Sequence, residues 1–323
     1  MEIVISHLSA FRFWRRFAGD ISQLHRVSRP KGTSRGASIS SEVRAELISC
    51  GWSSQELNHL DLLYENKTQR SRAMNIHAHS FSEPLPANSI IRIAQHVGIV
   101  SPEICLIQLS HILPEPSFLM TVYEFCGTFT TGCEREQLHQ RRALTSVEGI
   151  RAVLDQRPPH FTGKTRRFLP FMLNGAASPM EAKLALVLTL PPRKGGFGLP
   201  APILNAPITL GSRARKLYQH RTCRADLFWP NVKLDLEYDS ESFHTGAQHT
   251  EDIARRNALE LEGIEVISVC QAQLIDTAAI EMIARRIAKR LGYRIQPRCN
   301  NFALKQMELQ HSLRTESNTL SVA

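Results

Sequence analysis

The residues best suited to chemistry lie in Arg224-Ala-Asp-Leu-Phe-Trp-Pro-Asn-Val-Lys-Leu-Asp-Leu-Glu-Tyr-Asp239, two alternating runs joined at Pro230-Asn231. Strand side chains point to opposite faces in turn, so Val232, Leu234, Leu236 and Tyr238 share one face and Lys233, Asp235, Glu237 and Asp239 the other. With Pro230 and Asn231 as a two-residue turn, the register predicts Phe228 opposite Lys233, Asp226 opposite Asp235 and Arg224 opposite Glu237. Three or four carboxylates on one surface repel each other unless a cation sits among them. Mg²⁺, held by one or two carboxylates together with waters and phosphate oxygens, suits phosphodiester hydrolysis. The competing reading is the wet face of an antiparallel hairpin, where charged residues are expected.

The surrounding elements must position these groups. Ser178-Pro-Met-Glu181 predicts a helix running to about Leu190, with Ser at the N-cap, Pro at the first position and Glu completing a capping box. A strand is expected near Ala206–Leu210, followed by the two strands of the hairpin. Thr245–Glu262 reads as a helix, Ile264–Cys270 as a buried strand, and Thr277–Leu291 as a helix stopped by Gly292.

This order, with Glu181 on the first helix, Arg224-Ala-Asp226, Glu237-Tyr-Asp239-Ser240, Phe243-His244, Asp252-Ile-Ala-Arg255-Arg256 and Gly263-Ile-Glu-Val266, resembles the PD-(D/E)XK restriction-endonuclease-like superfamily, in its Vsr-like branch. The likeness covers residues 175–293. It implies an α/β domain with a central mixed sheet flanked by helices, and Mg²⁺- or Mn²⁺-dependent cleavage of DNA. By that likeness Asp226 and Glu237 hold the metal, Glu181 assists from the first helix, and His244 is a general acid/base or positions water. The candidate catalytic set is thus Glu181, Asp226, Glu237, Asp239 and His244. Asp239 stands where the family usually keeps a lysine, and Lys183, Arg224 or Lys233 are the cations offered in its place. Arg224, Arg255 and Arg256, with Arg166 and Arg167 from an earlier basic stretch, are the expected nucleic-acid contacts.

The N-terminal half, residues 1–170, reads as an α+β module. Its start mixes Phe11, Phe13, Trp14 and Phe17 with Arg12, Arg15 and Arg16, which fits either stacking on bases or an amphipathic element packing inward. Ser41–Cys50 and Ser53–Tyr64 are predicted helices broken at Gly51, read first as plain packing and second as a helix-turn-helix. Residues 73–100 are expected to be extended, Ser101-Pro-Glu103 to start a helix, and Arg157–Arg167 to form a turn-rich boundary. His77, His79, His96 and His111 lack metal-ligand spacing beside a carboxylate and read as satisfied core or surface groups. Val100-Ser-Pro-Glu103 and Phe118–Gly127 carry a fainter resemblance to AbiEi-type proteins of type IV toxin–antitoxin systems. That likeness implies the alternative function: a non-catalytic DNA-binding regulator or antitoxin-type component with a toxin or regulatory protein partner.

Composition narrows the field. The net charge of +9 favours a polyanionic partner. Residues 1–174 carry 20 Lys and Arg against 15 Asp and Glu, and residues 175–293 carry 15 against 13, a division that suits a basic module beside an acidic site. The densest apolar run, Leu184–Leu190, falls far short of the ~20 residues of a membrane span. Seven scattered cysteines without a C-x-x-C pair, and a start without a signal-peptide pattern, point to reduced thiols in the cytoplasm. Residues 171–293 are expected to form the second domain, and 294–323 a tail with a terminal helix around Phe302–Leu313.

Overall fold

The computed structural model describes residues 2–27, 39–65, 75–80, 85–131, 139–239, 246–295 and 300–319. Two compact units divide in sequence between Pro170 and Phe171, and the second extends to Asn318. His244, Cys133, Cys299 and the basic stretch 28–38 lie outside the described residues. No helix is long and apolar enough to cross a membrane among the described residues.

The first unit contains β1 (Ile3–Ile5), α1 (His7–Arg16), β2 (His25–Val27), α2 (Ser41–Ser49), β3 (Leu60–Tyr64), β4 (Ile76–Ser80), β5 (Ile90–Arg92), β6 (Val97–Val100), α3 (Pro102–Ile112), α4 (Glu115–Cys126), β7 (Phe129–Thr130), β8 (His139–Gln140), α5 (Val147–Asp155) and α6 (Pro159–Phe168). A mixed sheet runs in the order β2-β5-β6-β1-β3-β4. Helix α1 packs its aromatics inward: Phe11, Phe13 and Trp14 are buried, the Trp14 indole donates to the Val100 carbonyl at 2.9 Å, and Phe13 stacks on Trp52. Buried Arg15 pairs with buried Glu124 at 3.1 Å. The same carboxylate accepts from the Thr130 hydroxyl at 2.7 Å, tying α1, α4 and β7 together.

Two predicted elements of this unit differ. Ser53–Tyr64 is not a helix: a short 3₁₀ turn over Glu56–Asn58 leads into β3, which removes the second half of the helix-turn-helix reading. Leu60, Leu62, Leu63 and Tyr64 are buried because β3 lies between β1 and β4, and pairing on both edges overrides local preference. Arg157–Arg167 is largely helical, as α6, not turn-rich. Pro159 sits in its first turn, where a missing N–H costs nothing. The histidines are satisfied: His79 Nε2 lies 2.7 Å from buried Asp61, His96 Nδ1 2.8 Å from Glu46, and His111 Nε2 3.2 Å from the Phe161 carbonyl. His77 stands 3.8 Å from Asp61.

The second unit contains α7 (Pro179–Thr189), β9 (Ile203–Thr209), α8 (Ala214–Leu217), β10 (Thr222–Trp229), β11 (Leu234–Asp239), α9 (Gly246–Leu261), β12 (Glu265–Cys270), α10 (Gln271–Ile275), α11 (Thr277–Arg290) and α12 (Phe302–Thr319). Its sheet runs β12-β11-β10-β9, antiparallel except for the parallel β11–β12 pair. That parallel closure needs a crossover, and α9 supplies it. Helix α12 belongs to this unit as far as Asn318. Gly195, at φ +85°, would place a Cβ 2.2 Å from the Lys305 carbonyl oxygen of α12, so the turn before β9 closes against that helix. Gly195→Ala is expected to destabilise the unit by more than ~1 kcal/mol, from both the left-handed backbone and the clash. Urea unfolding of the variant beside wild type measures it, and equal midpoints would refute the close approach.

Candidate functional site

The hairpin does not close at Pro230-Asn231. Pro230–Val232 forms a 3₁₀ turn and Lys233 takes the left-handed conformation at φ 49°, so four residues make the connection. The observed register places Leu227 opposite Leu236, Phe228 opposite Asp235 and Trp229 opposite Leu234. Asp226 therefore does not face Asp235, nor Arg224 Glu237; continuing the ladder puts Asp226 level with Glu237. A two-residue shift preserves strand parity, so Asp226, Asp235 and Glu237 still share one face.

That face is dry. Asp235 is 0% exposed and Glu237 8%, while Leu234 and Leu236 on the opposite face are also at 0%. β11 is covered on both sides as an interior strand, and the solvated-hairpin reading does not hold. Only Asp239, at the end of the strand, is exposed.

Three elements bring further charges to the buried face. From α7, Glu181 is 7% exposed. Its amide donates to the Ser178 hydroxyl at 3.2 Å, and its carboxylate accepts from the Ala177 amide at 2.8 Å and from the Asn205 side chain. Asn205 adopts φ 49° inside β9, a conformation asparagine tolerates better than most residues, and its amide also donates to the Gly175 carbonyl at 3.0 Å. Glu181 thus does more than cap its helix, for Asn205 locks it beside Asp226. From β10, Asp226 accepts the Tyr238 amide at 2.9 Å. From α9, Arg255 donates to Glu237 Oε2 at 2.7 Å, and its other terminal nitrogen lies 2.6 Å from Oε1 as an ion pair out of hydrogen-bond alignment. Arg255 also donates to the Arg224 carbonyl at 3.1 Å.

One guanidinium therefore faces three carboxyl groups, Glu237, Asp226 and Asp235. Asp226 is pushed up to about 7 by burial first, then by the charges of Glu181 and Glu237. Asp235 is raised further by burial, by the charges of Glu237 and Asp226 and by a side-chain hydrogen bond to Glu237 that only its protonated form can donate, and neither of its oxygens receives a donor from another group among the described residues. The site is short of positive charge.

The other expected contacts are dispersed. Arg256 reaches from α9 to the Ser268 hydroxyl on β12, the residue paired with Glu237 across the β11–β12 ladder, and makes no ion pair with Glu237 among the described residues. Arg166 in the first unit donates to Thr162 at 3.0 Å and pairs with Asp155 at 3.3 Å, clamping α6 to α5, while Arg167 is exposed. Of the cations offered in place of lysine, Lys233 sits in the turn and donates to the Glu262 carbonyl at 3.1 Å. Arg224 donates to the Asn205 carbonyl at 3.3 Å, and Lys183 lies on α7. Sequence reading missed the basic residues Arg213, Arg215, Lys216 and Arg221 that precede Arg224, whose signal was legible: no acidic residue occurs between Glu181 and Asp226, against eight Lys and Arg. Summing charges over 175–293 hid it.

An acid that binds its proton more tightly folded than unfolded stabilises the fold at low pH, and this contribution is lost as pH rises from about 4 through the folded pKa. Asp235→Asn is therefore expected to flatten the stability profile between pH 5 and pH 9. The variant should exceed wild type at pH 9 by ~1 kcal/mol or more. Denaturant unfolding across that range checks it, and parallel profiles would count against a buried, proton-holding Asp235.

Known proteins add little to this geometry. The chain is 28% identical over 170 residues to two proteins of Mycobacterium tuberculosis, "Uncharacterized protein Rv2248" of strain H37Rv and "Uncharacterized protein MT2308" of strain CDC 1551. The match covers 48% of this chain and 56% of each relative, so the chain spans about half the length of the curated relatives it matches. No family model and no solved structure matches it.

Proposed function

We propose that the second unit is a restriction-endonuclease-like catalytic domain that hydrolyses DNA phosphodiester bonds with Mg²⁺ or Mn²⁺. The observation that carries this reading is the dry carboxylate face of β10 and β11, with Glu181 beside it and Arg255 paired to Glu237. All its donors are hard oxygens, as Mg²⁺ and Mn²⁺ prefer, and both oxygens of buried Asp235 lack a donor among the described residues. No group of three or more ligating side chains is preformed among the described residues, so Asp226 and Glu237 would be the protein's ligands, with water and phosphate oxygens completing the shell. Once bound, the ion would polarise the phosphate and acidify an attacking water.

The chain's own groups have separable tasks. Glu181, fixed by Asn205 and the Ala177 amide, adds negative potential beside Asp226. The Tyr238 amide orients the Asp226 carboxylate. Arg255 aims Glu237 and supplies a counter-charge in its buried setting. Asp226, near neutrality in its affinity for a proton, sits where a proton or a cation can be exchanged at ordinary pH. Five free cysteines among the described residues fit a cytoplasmic setting.

A second reading has its own support. Asp239 occupies the usual lysine position and is exposed, and Arg255 already engages Glu237, as expected if the fold were kept for DNA binding in a regulator or antitoxin-type protein.

Incubating supercoiled plasmid with the protein and Mg²⁺ or Mn²⁺ decides between them. Wild type should nick the plasmid, and Asp226→Asn/Glu237→Gln, which preserves shape, should be slower by ~100-fold or more. Equal nicking by the variant would refute the nuclease. Retention of DNA without metal-dependent cutting would establish the regulator.

A further inference from the structure

The connection from β9 to β10 holds Arg213, Arg215, Lys216 and Arg221 with no acidic residue among them. It is built rather than loose. The Leu210 amide donates to the Arg221 carbonyl at 3.0 Å, the Gly211 amide to the Glu262 carboxylate at 2.6 Å, and buried Ala214 joins the apolar cluster with Ala258 and Leu259 of α9. With Ala214 turned inward, Arg213, Arg215, Lys216 and Arg221 all face solvent.

Nearby acids do not neutralise this ledge. Glu262 is engaged by the Gly211 amide, and Glu251 of α9 stands 3.5 Å from His220. No carboxylate lies within ion-pair distance of Arg213, Arg215, Lys216 or Arg221 among the described residues. The equally basic α11 contrasts with it: Arg285 pairs with Glu281, and Arg286 and Arg290 pair with Glu265. Like charges packed on a rigid turn repel unless a polyanion neutralises them. The ledge also leads straight into the site, because Arg221 precedes Asp226 by five residues of extended chain, roughly 16 Å. It lies at the sheet end where β11 finishes, toward which Asp226 and Glu237 are placed.

We propose that the ledge Arg213–Arg221 binds the phosphate backbone of nucleic acid and leads the strand to the Asp226–Glu237 face. The delivery step rests on the nuclease reading; the binding step does not. Arginine forks and a lysine point charge are the side chains that grip phosphate oxygens, and such contacts carry affinity without reading sequence.

Fluorescence anisotropy of a short labelled duplex of mixed sequence, with chelator present and salt varied, tests the binding. Arg213→Gln/Arg215→Gln/Lys216→Gln/Arg221→Gln should make the dependence of log affinity on log salt shallower by about 2 to 4, and Arg215→Gln/Lys216→Gln by about half of that. A control with the same charge change on α11, Arg285→Gln/Arg286→Gln/Lys289→Gln/Arg290→Gln, should shift it by less than ~1. Thermal melts show that each variant is folded, and the milder pair decides if the fourfold change unfolds the protein. An unchanged slope, equal losses in ledge and control variants, or ledge-dependent binding of polyglutamate but not of duplex or single strand would overturn the proposal. Carboxylate-dependent cleavage with an intact KM in the ledge variants sinks the ledge alone. Ledge-dependent binding without any cleavage sinks the nuclease alone and supports the ledge.

Discussion

The contact between Arg255 and Glu237 holds the second unit's acidic face together. Burying an ionised carboxylate costs several kcal/mol unless it is paired, and here several acids are buried at once. Arg255 meets that demand for Glu237 from a helix that the β11–β12 crossover already places over the sheet. The deficit left at Asp226 and Asp235 raises the affinity of both for a proton. A face so arranged is less stable than an apolar one of the same shape, which is a reason to seek its value in binding rather than in folding.

The first unit shows the opposite economy. Glu124 is matched by Arg15 and the Thr130 hydroxyl, and Asp61 by the Ser9 amide, the Ser9 hydroxyl and His79. These two buried acids are satisfied by groups from separate elements, so their networks read as cross-links of the sheet to its helices. Glu103 Oε2 of this unit and both oxygens of Asp235 receive no donor among the described residues.

Where the sequence was legible, the reason is local. Ser178 and Pro179 mark a helix start whatever surrounds them, because a cap satisfies amides within one turn, and α7 begins there. Val266, Ile267 and Val269 make a β-branched run that suits a strand flanked by helices, and β12 is that strand. Ser53–Tyr64 misled because its capping start is satisfied by a single 3₁₀ turn, after which pairing with β1 and β4 takes the chain. Pro230-Asn231 misled because the turn tightened into 3₁₀ geometry and recruited Lys233 at positive φ.

For the candidate site, the residue types and their shared face were determined by the sequence alone: alternation puts Asp226, Asp235 and Glu237 together under either register. Tertiary structure decided everything that gives those groups chemical character. Whether the face is wet or dry depends on α9 lying across it, and whether Glu181 is only a cap depends on Asn205 turning left-handed two strands away from Glu237. Which arginine answers the carboxylates depends on the angle at which α9 crosses the sheet, since Arg255 and Arg256 differ by one residue and reach different strands. A carboxylate's charge is a property of its surroundings, and those surroundings are assembled from segments far apart in the chain.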